Sequence, residues 1–125
     1  MKLRSWKRRM RNGLLVICDP ESRESPDVDG LAPYWQTEHC LLVPCQHRDF
    51  GPVTITAGDM NEIARTDHEI FDGVIVSPSG TLALETVYLE RIALIETGVE
   101  RNHVRVWGDG YKDTLFLNIG IAPAP

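Results

Sequence analysis

No stretch of the chain approaches the roughly 20 consecutive apolar residues that a membrane-spanning helix needs. The N-terminus imitates a secretory leader, with basic residues ahead of Leu14-Leu15-Val16-Ile17-Cys18, but this run is only five residues long. A secretory h-region needs roughly 7–15. A lipoprotein reading at Cys18 fails because Ile17 is not small. Cysteine is scarce as well: Cys18, Cys40 and Cys45 are an odd set of three in no framework spacing. That points to a reducing compartment and buried free thiols, so the cytoplasm is the expected location. Also missing are a Gly-x-Ser-x-Gly elbow, a phosphate loop, a dinucleotide fingerprint and a His-Glu-x-x-His. Catalysis of the familiar kinds, and any cofactor, are therefore not expected.

What the chain does have is charge of two signs kept apart. Lys2, Arg4, Lys7, Arg8, Arg9 and Arg11 put +6 into the first twelve residues. The rest holds seven basic residues against all eighteen acidic ones, a net of −11 that the overall −5 conceals. A body this acidic repels nucleic acid and anionic membrane and attracts basic protein surfaces. The expected partner is thus a protein with a basic surface. The leader, residues 1–12, reads as a peripheral arm. Leu3, Trp6 and Met10 also fit an amphipathic helix.

Residues 13–125 read as one domain, and the hydrophobic content of 42% supports a packed core. Eight prolines and ten glycines punctuate short runs of strand type. Gly13–Cys18, Glu38–Cys45 and Gly51–Thr56 come first, with an acidic loop over 19–36 whose Tyr34 and Trp35 plug into the core. Asp59 is placed to N-cap a two-turn helix over Met60–Arg65, with Glu62 as its capping-box partner. Phe71–Ser77 and Thr81–Thr86, joined by Ser-Pro-Ser-Gly, read as a hairpin. Strands follow over Val87–Ile95, Asn102–Trp107 and Asp113–Ile121. The sum is an all-β fold, an antiparallel β-sandwich of about 7–8 short strands with one short helix.

Candidate chemistry is sparse. His39, Cys40, Cys45 and His47 are the best metal-ligand set, but no second pair accompanies them, and core cysteines with solvated histidines explain them better. Asp27-Val28-Asp29-Gly30 opens like a calcium loop, with the glycine two positions early and no closing glutamate. Asp67-His68-Glu69 are neighbours on one segment, so they point to alternate faces and form no dyad. Trp107, before a Gly-Asp-Gly turn, reads either as a core residue or as a partner anchor.

The segments LLVICDPES with Tyr34-Trp35, DFGPVTITAGD (49–59), FDGVIVSPSGTLALET (71–86) and TGVERNHVRVW (97–107) together resemble the ComJ-like family of competence-associated DNA-entry nuclease inhibitors. The aliphatic first strand and the basic leader depart from that pattern. The resemblance implies a small protein that binds and blocks a nuclease, or an immunity protein that neutralises a toxin. The charge pattern agrees, because carboxylates on an inhibitor can occupy the places of substrate phosphates. The residues expected at such an interface are Asp19, Glu21, Glu24, Asp27 and Asp29 in the acidic loop. Trp107, Asp109, Tyr111 and Asp113 around the last turn complete the set. Two other readings stand beside it: a ligand- or partner-binding module using Trp107 and Tyr111, and a metal enzyme built on His39, Cys45 and His47.

Overall fold

The computed structural model describes every residue except Met1, Arg23, Leu31, Tyr111 and Lys112. Its strands are β1 (Arg4–Arg8), β2 (Leu14–Cys18), β3 (Trp35–Gln36), β4 (Cys40–Pro44) and β5 (Val53–Asp59), then β6 (His68–Val76), β7 (Thr81–Glu85), β8 (Arg91–Glu96), β9 (Arg101–Gly108) and β10 (Phe116–Pro123). They form two five-stranded sheets, ordered β1-β5-β10-β9-β6 and β3-β4-β2-β7-β8. The protein is mostly β, with ten strands among the described residues in place of the expected seven or eight.

Alternation drives the first sheet. Val53, Ile55 and Ala57 of β5 and Leu117, Ile119 and Ile121 of β10 point into one core, while Thr54, Thr56 and Asn118 point out. Leu15, Ile17, Leu41, Val43, Leu82 and Leu84 of the second sheet enter the same core. Strand β2 is apolar on both faces for a physical reason. Its Val16 and Cys18 join Cys40, Leu42 and Ala83 in a separate cluster on the other side, covered by Trp35 and Val87.

Four expectations change. The pairing is not wholly antiparallel, because β10 runs parallel to β5 from Phe116↔Thr54 to Ile121↔Asp59. The proposed 71–86 hairpin is not one: β6 pairs with β9, whereas β7 pairs with β2 and β8. The Ser77–Gly80 turn exists, closed by Gly80 N–H donating to the Ser77 carbonyl at 2.9 Å, but it carries the chain from one sheet to the other. Ser77 is fully buried at this crossing and its N–H donates to the Glu100 carbonyl at 2.6 Å. The helix over 60–65 is a single turn on the Asp59 carbonyl. It stops because Met60 and Ile63 pack on Trp107, and the Thr66 hydroxyl donates to the Gly108 carbonyl at 2.5 Å.

The leader is the fourth change. Residues 4–8 pair antiparallel with β5, so the helical reading gives way to an edge strand. Trp6 packs against the main core and Met10 is fully buried within it. Charge on an edge strand discourages pairing with other chains, which explains why a strand can be this basic.

Among the described residues, no helix is long and apolar enough to cross a membrane. The three cysteines form no disulfide.

Candidate functional site

The 19–36 segment leaves β2 through Asp19, which is fully buried. Its Oδ1 accepts the Ser79 hydroxyl at 2.6 Å and the Glu21 N–H at 3.3 Å. Burial alone would raise this carboxyl's pKa. The Ser79 hydroxyl and Glu21 N–H, aided by the Ser22 and Ser77 hydroxyls, outweigh burial and hold it below the usual range. Asp19 therefore anchors the loop and has no surface to offer a partner, a correction to its expected role.

Glu21, Glu24, Asp27 and Asp29 are exposed. The loop is tied down at two further points: Thr37 donates to the Glu24 carbonyl at 2.7 Å, and Trp35 Nε1 donates to the Asp29 carbonyl at 3.2 Å. Tyr34 meets Phe71 edge to face at 4.9 Å. Two of these ties bind the loop to itself, while Trp35 packs on the outer cluster of the second sheet and Tyr34 on Phe71 of β6 in the first.

Trp107 is also corrected. It is 2% exposed, packed with Met60 and Ile63 beneath the guanidinium groups of Arg65 and Arg105, 5.6 and 4.6 Å from its ring. It belongs to the structure rather than to an interface. Tyr111 lies outside the described residues. Asp109 and Asp113 are exposed, and Asp113 adopts a left-handed φ of 53°. Burial pushes the Asp109 pKa up, but the Thr114 hydroxyl and the Leu115 N–H hold it below the usual range. Its carboxylate thus ties Asp109 to Thr114 and Leu115.

The fold brings two of the expected acidic regions together. A groove of about 670 Å³ opens between the loop and the ends of β2 and β4, lined mainly by Leu14, Val28, Pro33, Trp35, Pro44 and Asp113. Val28 of the loop and Asp113 of the last turn line it together with His47, whereas Asp27 and Asp29, next to Val28 in sequence, do not. Glu21 and Glu24 are likewise absent from its lining, and Glu24 acts on His39 instead. The His39 pKa is raised, chiefly because its Nδ1 meets the Val76 carbonyl at 2.7 Å, with Glu38, Glu24 and Asp19 adding to the effect against burial.

Sequence reasoning missed the groove and two ionic clusters. Glu85, fully buried, accepts Arg91 Nε and Nη2 at 3.2 and 3.1 Å. On the outer face of the first sheet, Arg105 makes a bidentate pair with Glu69 at 2.9 Å, while His103 meets Asp72 at 2.6 Å. The apolar Val28 and Trp35 inside an otherwise acidic loop were the available signal for the groove. As for metal, Cys45 enters the main core while Cys40 enters the other cluster, so the His39–His47 segment does not converge. Among the described residues no group of three His, Cys, Asp or Glu could hold an ion. Burial pushes the Cys45 thiol up to about 12, which leaves it a poor nucleophile.

The architecture defines an all-β protein of two sheets around a common core, with an acidic loop following β2. No family model matches the chain, and no curated protein matches it. In fold it is similar to the crystal structure of ComJ from Bacillus subtilis, an inhibitor of the DNA degrading activity of NucA. The TM-score is 0.66 at 9% sequence identity, over 99% of this chain and 100% of that one. The resemblance read from the sequence therefore holds at the level of fold.

Proposed function

We propose that this protein is a non-enzymatic inhibitor, a β-sandwich that blocks a nuclease or a toxin of similar surface charge in the cytoplasm. The observation that carries the reading is the fold likeness to ComJ across 99% of the chain. The −11 of residues 13–125 supports it independently, since a DNA-degrading enzyme must present cations to phosphate. In this reading Glu21, Glu24, Asp27, Asp29, Asp109 and Asp113 face the basic partner. The working surface lies within residues 13–125, and residues 1–12 serve as a basic edge.

The test is a DNA-degradation assay with purified NucA and, separately, with the product of the gene adjacent to this one. Dose-dependent inhibition of either, weakened when Asp27, Asp29 and Asp113 are together replaced by Asn, is the expected result. Undiminished DNA cleavage in a large molar excess of the protein retires the reading.

A further inference from the structure

Cys18 closes β2 and Cys40 opens β4, and the antiparallel register sets the two directly opposite each other. The Asp19 N–H donates to the His39 carbonyl at 3.0 Å, one residue beyond the pair on each strand. That pattern makes Cys18 and Cys40 a non-hydrogen-bonded pair, the class in which facing Cα atoms stand about 4.5 Å apart and side chains are closest. A disulfide needs Cα atoms roughly 4.4–6.8 Å apart with the Cβ atoms on one side. Both cysteines lie on the outer face of the second sheet, in the cluster with Val16, Leu42 and Ala83. Cys45 points into the main core on the other face, so the fold permits one pairing among the three.

We propose that Cys18 and Cys40 are a disulfide site: given a small disulfide of the glutathione class, they join in a cross-strand bond that clasps the base of the acidic loop. The whole loop, residues 19–39, lies between them. The thiolate of one cysteine attacks the small disulfide, forming a mixed disulfide and releasing one small thiolate. The second cysteine then attacks the protein sulfur of that mixed disulfide, and the other small thiolate leaves. Two electrons pass to the small disulfide, and the two thiol protons end on its reduced halves. Both cysteines are buried, so exchange passes through local opening of their cover. That cover is slight at the sheet edge, where β3 contributes two residues and its Trp35 is only partly buried. The clasp does not depend on the inhibitor reading.

The test incubates the reduced full chain in native buffer with excess oxidised glutathione, then traps remaining thiols with a maleimide under denaturing conditions. Mass spectrometry should show the loss of two hydrogens and a single maleimide, on Cys45. Dithiothreitol should restore all three thiols. The oxidised chain should unfold at a thermal midpoint roughly 5–10 °C above the reduced one, because the bond restricts the unfolded chain. Cys18→Ser and Cys40→Ser should each abolish the intramolecular bond, and Cys45→Ser should leave it. Cys18→Ala and Cys40→Ala, which place no hydroxyl in the apolar cluster, give the same readout should the serine variants fail to fold.

Three thiols still trapped after an exposure that oxidises the urea-unfolded chain overturn the proposal. So does glutathione left attached to either cysteine, or a bond that includes Cys45. A bonded chain whose thermal midpoint is at or below the reduced one overturns it as well, since the native strands would then not hold the geometry the bond needs. No nuclease enters these measurements, so their outcome is independent of the DNA-cleavage assay.

Discussion

Asp19 ties the start of the acidic loop to the Ser77–Gly80 crossing through one charge-assisted hydrogen bond from Ser79. Its folded pKa lies below the unfolded value, so its stabilising contribution is full above the unfolded pKa of about 3.9. That contribution is lost as pH falls through the lower, folded pKa. Asp19→Asn should therefore be less stable than the parent at pH 7, by about 1–3 kcal/mol. The gap should narrow below pH 4. Urea denaturation at pH 7 and pH 3 measures both numbers, and a gap that widens in acid would contradict the assignment. Gly13 makes a comparable local demand. Its φ is +61°, and a Cβ there would sit 2.7 Å from the Cys45 carbonyl oxygen, so no other residue fits without moving the chain.

At the scale of elements, β1 decides how the basic segment should be regarded. Removing residues 1–12 takes away Met10 from the core, the cover that Trp6 gives it, and one of the two partners of β5. A fully buried Met alone is worth about 2–5 kcal/mol when truncated. The deletion should lower the thermal midpoint clearly and promote association through the bared edge of β5, as read by scanning calorimetry and size-exclusion chromatography. An unchanged midpoint would restore the picture of a dispensable arm. The sequence hid this strand because arginines and lysines occupy its exposed positions, and because Leu3, Trp6 and Met10 happen to match helical spacing. Strands β2, β4 to β7, β9 and β10 were legible, since burial of one or both faces forces alternation or continuous apolar runs. Strand β8 was legible in part: it starts at Arg91, after a turn formed where Leu89 N–H donates to the Thr86 carbonyl at 3.1 Å. Pairing was less legible than strand position. Neighbours in sequence such as β6 and β7 look like a hairpin until the second sheet claims one of them. The site was half legible for the same reason. Exposed acids in a loop can be read directly, but a groove between Leu14, Val28, Trp35 and Pro44 exists only once the loop is folded back.

For the whole molecule, the separation of charge matters more than its total. If the partner is basic, as proposed, carboxylates along the loop and the last turn would draw it and the β1 edge would repel it, orienting the encounter before contact. Association with a basic partner should slow as salt rises from low to physiological strength, where the Debye length has fallen to about 8 Å, while dissociation changes little. Stopped-flow measurement between low and physiological salt tests this, and a salt-independent on-rate would remove electrostatic steering from the mechanism.

The parallel pairing of β5 with β10 also governs how the molecule can be made. Strand β5 lies between β1, near one end of the chain, and β10, near the other. During synthesis β1 can find β5 early, but the second edge of β5 stays open until the final strand leaves the ribosome. Contacts between strands this far apart in sequence also carry a high loop-closure cost, which slows folding. The first sheet is therefore sealed last, and its half-built form is the stage at which this protein is most exposed to misassembly and to the cell's chaperones.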